Sequence, residues 1–355
     1  MLAFSKRVWY IKGEGKKHTG EGWSEREKGA IIMKNACVVG YGAIGPTHAN
    51  AIQQTDSIRL YAVCDNDPER AKRCVDQYGV KDYRDFDEML KDPNIDAVHI
   101  CTPHYLHFPM IKKALAAGKQ VVTEKPITMT RVEYEELLTL EGADKVCCVL
   151  QNRLNPCVRE MKRIAESGEL GKVITARGLL TWNKDMAYYG HDAWRGKWAT
   201  EGGGVLINQA IHTMDLFNYI TGNVQSVKAQ MVNFDLPEIE VEDTLAAFLR
   251  LQNGGRGVFF ASNAYGINAP IMFEVVFEKG TLHYEDKRLF KDGVLVQEDE
   301  NPDMGKGYWG NSHADLIKDF YDRGLYFSLQ DVKATMDCVF AMYDSARVGG
   351  KEIAI

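Results

Sequence analysis

No apolar run in these 355 residues approaches the roughly 18 needed to span a membrane, so no membrane-crossing helix is expected. There is no C-x-x-C pair among the eight cysteines, which are scattered at Cys37, Cys64, Cys74, Cys101, Cys147, Cys148, Cys157 and Cys338. Most lie in apolar runs and read as reduced, buried small hydrophobes of a cytoplasmic protein. Cys147 and Cys148 are adjacent, and neighbours on one strand point to opposite faces, so no metal site is expected. Basic charge is not in surplus either: 43 Lys and Arg face 49 Asp and Glu, a formal charge of −6. That balance argues against a sequence-independent grip on nucleic acid. With only 10 Pro and no low-complexity tract, collagen-like, mucin-like and wholly disordered classes are excluded as well.

What is present is enough chain for two domains with full cores. Residues 1–32 carry seven Lys and Arg against four Asp and Glu, with little apolar surface, and read as a flexible extension contributed by an upstream start codon. A docked arm anchored by Trp9, Tyr10 and Trp23 is the rival reading. From Ala36 short β-rich runs alternate with helical ones through KQVVTEKP, the pattern of crossovers in a doubly wound parallel sheet. Beyond about residue 172 the runs VITARGLLTW, VQSVKAQMVNF, DTLAAFLRL, GRGVFFAS, IMFEVVFE and GTLHYE follow one another with turn signals between them, which suits a large, mostly antiparallel sheet. Two helices, near 312–323 and 329–347, close the chain.

At the first strand-to-helix turn stands Gly40-Tyr41-Gly42-Ala43-Ile44-Gly45, a G-x-G-x-x-G. Glycines there permit a tight turn, let a pyrophosphate approach the backbone and let the helix N-terminus face it. The second strand ends at Asp65, 25 residues after Gly40, where a carboxylate can accept from both ribose hydroxyls of an adenosine. Asn66 and Asp67 follow, so a 2′-phosphate would meet negative charge. NAD is favoured over NADP.

Further along come Cys101-Thr102-Pro103, Thr123-Glu124-Lys125-Pro126, Gln151-Asn152-Arg153, Trp194-Arg195-Gly196 and Gly202-Gly203-Gly204-Val205-Leu206-Ile207-Asn208-Gln209-Ala210-Ile211-His212. With the glycine turn and in this order, they resemble the Gfo/Idh/MocA oxidoreductases from Met33 to Ile355. The resemblance implies a NAD-binding Rossmann domain over 33–151 and a substrate-binding and oligomerisation α/β domain over 152–355. Gly40, Gly42, Ala43, Ile44, Gly45, Asp65, Thr102, Pro103, His104, Glu124 and Lys125 are the expected cofactor contacts. His104 stands where relatives frequently have Asn. His48 and His107 are expected to pack or cap near the cofactor.

The reaction implied is hydride transfer between a ring secondary hydroxyl of a sugar, sugar derivative or cyclitol and NAD. Lys125, past the end of a parallel strand, would stabilise a developing alkoxide. His212, four residues after Asn208 in a segment of helical period, would share its helix face. A neutral imidazole near its ordinary pKa of about 6.5 would take the hydroxyl proton. The family often has Asp at the position of Asn208; Asn cannot act as a base, so Asn208 is expected to orient substrate. Gly202–Gly204 would allow close approach to the nicotinamide or form a tight turn. Substrate contacts are expected from Arg153, Tyr189, Trp194, Arg195, Asn208 and His313, with aromatic faces against sugar C–H patches and an arginine fork for hydroxyls or an anionic group. Two other functions stay open: an NAD-retaining glycoside hydrolase or lyase using transient oxidation, and a non-catalytic NAD-binding sensor. The expected assembly is a homodimer or homotetramer formed through the open sheet face.

Overall fold

The computed structural model describes residues 33–299, 312–324 and 326–355. The extension expected over residues 1–32 lies outside them. Lys34–Ile355 forms one compact unit built on two sheets.

In the first half, β1 (Lys34–Val39), β2 (Ile58–Cys64), β3 (Lys81–Tyr83), β4 (Ala97–Ile100), β5 (Gln120–Thr123) and β6 (Val146–Cys148) pair in the order β3-β2-β1-β4-β5-β6. All five pairings are parallel. The connecting helices are α1 (Gly45–Gln53), α2 (Pro68–Tyr78), α3 (Phe86–Leu90), α4 (His104–Ala116) and α5 (Arg131–Thr139). The central strands are apolar and buried on both faces, as a sheet sandwiched between helices requires: β4 and the Ala36–Val39 part of β1 are buried throughout, while the edge strand β3 is exposed. Strand order reverses between β1 and β4, which places a ligand crevice at the carboxyl ends of β1, β4 and β5.

After α6 (Pro156–Ser167) the second sheet begins with β7 (Val173–Thr181). It passes through α7 (Met186–Gly190), α8 (Trp198–Glu201), α9 (Val205–Asn208) and α10 (Ile211–Thr221) before β8 (Val224–Val232). Strands β9 (Thr244–Leu251), β10 (Arg256–Ser262), β11 (Met272–Phe277), β12 (Gly280–Glu285), β13 (Arg288–Lys291) and β14 (Val294–Glu298) follow, and β15 (Ile353–Ala354) closes the edge. The order is β14-β13-β12-β11-β7-β10-β9-β8-β15, antiparallel except for β7 beside β10. The sheet is mostly antiparallel as expected, with one parallel pair at its centre, where β10 returns beside β7 after the helical excursion that carries the site and the β8–β9 hairpin. Clean alternation in β9, with Leu245, Ala247, Leu249 and Leu251 inward and Ala246, Phe248 and Arg250 outward, sets one face on the core. α11 (Ser312–Arg323) and α12 (Leu329–Arg347) end the fold. α12 lies along β8, while α11 returns to pack on α1.

Candidate active site

Where β1 hands over to α1, the backbone is ready for an anion. α2, α3 and α5 are capped by Asp67, Asp85 and Thr130, whereas α1 has no side-chain cap and no acidic residue in its first turn. Its first amides therefore face the loop without a partner side chain. Gly40 has φ 86°, and a Cβ there would stand 2.8 Å from the Cys101 carbonyl oxygen; one at Gly45 would stand 2.5 Å from the Gly40 carbonyl. Gly42 meets nothing nearer than 3.8 Å, so it leaves open the approach the other two make possible. Ala43 is exposed and Ile44 half-buried in the same loop. Asp65 accepts the Tyr41 amide at 2.6 Å and the Asp67 amide at 2.8 Å, holding the turn from the end of β2. These features fit a dinucleotide.

One expectation changes here. Asp65 was read as standing among negative charge alone, but α2 runs beside the turn and brings Arg70 and Arg73 to it. Arg73 donates to the Tyr41 carbonyl at 3.3 Å, and Arg70 pairs with Asp67 at 3.4 Å with its Nη1 3.8 Å from where a Gly42 Cβ would be.

At the other end of the crevice Pro103 caps α4, again without a side-chain hydrogen bond. The Thr102 carbonyl bonds His107 Nε2 at 2.8 Å, and the Pro126 carbonyl bonds His107 Nδ1 at 2.7 Å, so His107 ties the two strand ends together. His104 is committed to protein: its Nδ1 lies 2.8 Å from the Glu201 carbonyl and its ring lies 4.7 Å from that of Trp194.

Lys125 follows β5 directly. Its ammonium donates to the Asn208 carbonyl at 2.7 Å and to Asn208 Oδ1 at 3.2 Å. The expectation that Asn208 and His212 lie on one helix is corrected, because the helix breaks between them at Gln209 and Ala210. Gln209 and Ala210 both donate to the Val205 carbonyl, widening the turn, and the Asn208 carbonyl is taken by Lys125. His212 lies in the first turn of α10, and its Nδ1 is buried with no hydrogen-bond partner among the described residues. Burial, then the nearby Lys125 charge, pushes His212 down to about 3, not the ordinary 6.5. The imidazole is therefore neutral at pH 7 and a poor resting place for a proton. Burial also pulls Lys125 below its ordinary value.

Glu124 has a different set of partners. His48 Nε2 lies 3.0 Å from Glu124 Oε1, His48 Nδ1 lies 2.9 Å from His99 Nδ1, and His99 Nε2 lies 2.9 Å from the Tyr321 hydroxyl. His313 Nε2 approaches Glu124 Oε1 to 3.4 Å. Burial opposes the Glu124 charge, but the His313 and His48 hydrogen bonds outweigh it and hold the carboxyl well below the usual range. With Glu124 ionised, His48 Nε2 must carry a proton, so the neutral ring accepts at Nδ1 from His99, which accepts in turn from Tyr321. The donor atoms of His48, Glu124 and His313 fall within 4.8 Å of one another, a spacing that could suit a cation. These hydrogen bonds already use His48 and Glu124.

Several expected substrate contacts sit elsewhere. Arg153 is buried, bidentate to Asp215 at 2.6 and 2.8 Å, with the Asp331 carbonyl at 3.0 Å and the Tyr219 and Phe327 rings against its guanidinium. That environment consumes its fork. Tyr189 is 4% exposed, packs with Leu236, Ile239 and Val241, and accepts from Asn263 at 3.1 Å. Its neighbour Tyr188 takes the place expected of it, with its hydroxyl accepting from Gln209 at 2.8 Å and from Arg195. Arg195 is stacked between Tyr188 and Trp194 at 4.4 and 4.5 Å and pairs with Asp192 at 3.1 Å. His313 lies beside Glu124 and not among these groups. The glycine run approaches protein: a Cβ at Gly202 would meet Met129 at 2.7 Å, and one at Gly204 would meet the Glu242 carbonyl at 1.8 Å. The run bends tightly ahead of α9.

Two buried carboxylates escaped the sequence reading. Glu242 accepts from the amides of Gly204 and Leu206 and from Tyr343, and burial pushes it up to about 7. Glu201, 1% exposed, accepts from Asn208 Nδ2 at 2.6 Å and the Gly196 amide at 2.5 Å.

Residues 34–152 match the oxidoreductase family with an NAD-binding Rossmann fold, and residues 158–283 match the GFO/IDH/MocA C-terminal domain. The chain is 30% identical to an uncharacterised oxidoreductase, YrbE, of Bacillus subtilis over 71% of this chain and 73% of that one. It is 29% identical to myo-inositol 2-dehydrogenase of Thermotoga maritima, over 76% and 80% respectively. Among solved structures, the WlbA dehydrogenase of Bordetella pertussis in complex with NADH and UDP-GlcNAcA superposes with a TM-score of 0.80 at 27% identity, covering 91% of this chain and 98% of that one.

Proposed function

The chain belongs to the Gfo/Idh/MocA oxidoreductase family, and from that premise we propose that it transfers a hydride between a ring secondary hydroxyl of a sugar, sugar derivative or cyclitol and NAD. The observation that carries this reading is the meeting of Lys125 and Asn208 just past β5, with His212 one helix break away. Support for the substrate class comes from the inositol dehydrogenase among the relatives. The dehydrogenase names above lend no support to a redox-neutral hydrolase or lyase, and a paired Lys125 with a neutral His212 argues against a mere sensor.

The α1 turn and Asp65 would hold the adenosine and pyrophosphate, and the strand ends at Thr102 and Glu124 the nicotinamide side. Bound NAD supplies the hydride acceptor. Lys125 has one N–H beyond the two given to Asn208, and directs it at the substrate oxygen as charge develops there. His212 accepts the hydroxyl proton and, as a weak base, releases it to water without keeping it. Asn208 orients both Lys125 and substrate; Tyr188 and Arg195 border the sugar. In this reading residues 33–151 bind cofactor and 152–355 bind substrate, and the eight reduced, buried cysteines suit a cytoplasmic enzyme. The test is a screen of sugars and cyclitols with NAD, read by NADH absorbance together with product mass. Consumption of substrate with no NADH formed would overturn it.

Cofactor choice gives a separate prediction. Asp65→Ser with Asn66→Arg is expected to raise the NADP-to-NAD affinity ratio about tenfold or more, by removing a ribose acceptor and adding a phosphate partner. Titration of both cofactors by fluorescence checks it. A parent chain already tighter for NADP would mean that Arg70 and Arg73 outweigh Asp65.

We also propose that a second copy covers the outward face of the second sheet. Phe248, 70% exposed, stands opposite Val258, 42% exposed, on neighbouring strands. Light scattering at micromolar concentration should give a dimer or tetramer, and Phe248→Asp should shift it toward monomer. A parent chain that scatters as a monomer would refute the assembly.

A further inference from the structure

Lys125 Nζ is a donor only and so takes the Oδ1 end of the Asn208 amide. The structure holds a group on the other end. Glu201 lies on the far side of Asn208 from Lys125, with Oε1 2.6 Å from Asn208 Nδ2 and Oε2 2.5 Å from the Gly196 amide. Both carboxylate oxygens thus accept from N–H donors, the arrangement of the ionised form, since a neutral acid would set its own proton against one of them. An ionised carboxylate accepts only, so it takes the NH₂ end of Asn208 and turns Oδ1 toward Lys125 Nζ at 3.2 Å.

A buried carboxylate is costly unless it is compensated. No ion pair within 4.0 Å is found for Glu201 among the described residues. Arg195, the nearest arginine in sequence, gives its fork to Asp192 and the Tyr188 hydroxyl. We propose that Glu201 is a positioning residue for hydride transfer: through the Asn208 amide it aims Oδ1 at Lys125 and supplies the negative charge opposite its ammonium. This chain would then carry, one amide further back, the charge that relatives with Asp at the Asn208 position place directly against the lysine. The inference rests on the role given to Lys125 above.

Every charged neighbour of the pair enters its titration. Lys125 is faced by Glu124 from its own strand end, Cys148 of β6, His104 and His107 of α4, Arg195 and Glu201 from the β7–α9 excursion, and His212 of α10. Glu201 is faced by Arg195, Lys125 and the hydroxyls of Tyr189 and Tyr343. Removing the Glu201 charge leaves burial and Arg195 opposing the ammonium with less to offset them, so the Lys125 pKa should fall.

The experiment uses the full chain as Glu201→Gln, Asn208→Asp and the exchange variant carrying both. Lys125 basicity is read without any substrate, by the pH dependence of its reductive methylation measured by peptide mass spectrometry; kcat and KM against pH are read with a substrate from the screen. Glu201→Gln is expected to lower the Lys125 pKa by about one unit and kcat by about tenfold, with NAD affinity unchanged. Asn208→Asp alone sets two carboxylates against each other and should also be slow. The exchange variant restores one carboxylate and one amide and should recover kcat to within about threefold of the parent. An unchanged methylation profile in Glu201→Gln overturns the proposal, as does an exchange variant no better than its singles. Should Glu201→Gln fail to fold, the exchange variant decides alone, since a Lys125 pKa below the parent's contradicts a charge role. A normal methylation shift with no NADH from any substrate would fault the proposed function instead.

Discussion

Lys125→Met is expected to lower kcat by about 10²-fold or more while NAD and substrate bind nearly as before. Methionine keeps most of the stem and removes the charge, so the loss falls on what the ammonium does as the hydroxyl gives up its proton and hydride. His212→Asn should cost a similar factor, because an amide keeps hydrogen bonding but cannot accept the proton. Burial and Lys125 hold His212 near 3, so the proton it accepts leaves for water at once while the Lys125 charge holds the oxygen it came from. The double variant should therefore be little worse than the poorer single. The same depression predicts that kcat/KM shows no fall near pH 6.5 from His212, wherever the protein remains folded. Steady-state kinetics at saturating NAD supplies all four numbers. Near-normal kcat in His212→Asn would remove the imidazole from the reaction and leave Lys125 as the base.

Stability should drop sharply as pH falls from 7 to 6. Burial holds His99 and His104 well below their ordinary pKa and His212 near 3, so the folded chain keeps these three neutral. In the unfolded chain each returns to about 6.5 and takes up a proton below that pH. The unfolded state then binds more protons, so stability is fully present above pH 6.5 and is lost progressively below it. Three such groups together amount to on the order of 2 kcal/mol between pH 7 and pH 6. Urea midpoints at the two pH values measure this. An unchanged midpoint would mean that these rings take up protons while folded.

The first half of the fold was legible because its signals are local. Asp67 and Thr130 mark helix starts by accepting amides two or three residues on, and the glycines at 40 and 45 are required by contacts that any tight strand-to-helix turn makes. The candidate site was legible only in part, because its pairings cross long stretches of chain. Arg153 and Asp215 are 62 residues apart, and no periodicity shows that an exposed-type residue will be buried against that carboxylate. Tyr188 and Tyr189 cannot be told apart by composition; the cap that Asp185 places on α7 sets which one faces Asn208. Helical period ran unbroken through Asn208 and His212, yet the wide turn at Gln209 and Ala210 depends on Lys125 arriving from another element. Glu201 had no signal at all, since a single Glu beside a glycine run looks like any surface residue.

The row from Tyr321 through His99 and His48 to Glu124 has a sense of direction, and that makes it a single switch and not four separate groups. While Glu124 is ionised, every proton in the row points toward it. A proton placed on Glu124 Oε1 obliges His48 to accept at Nε2 and donate at Nδ1; His99 must then donate at Nε2, and the Tyr321 hydroxyl must turn to accept. The same proton held on His48, which then donates at both nitrogens to an ionised Glu124 and to His99, reverses the outer bonds equally well, so the added proton is shared along the row. Its titration belongs to the row as a whole. Replacing Glu124 or any one of the three beyond it would interrupt that sharing, so the state of charge beside Lys125 is tied to a tyrosine on the last-but-one helix of the fold.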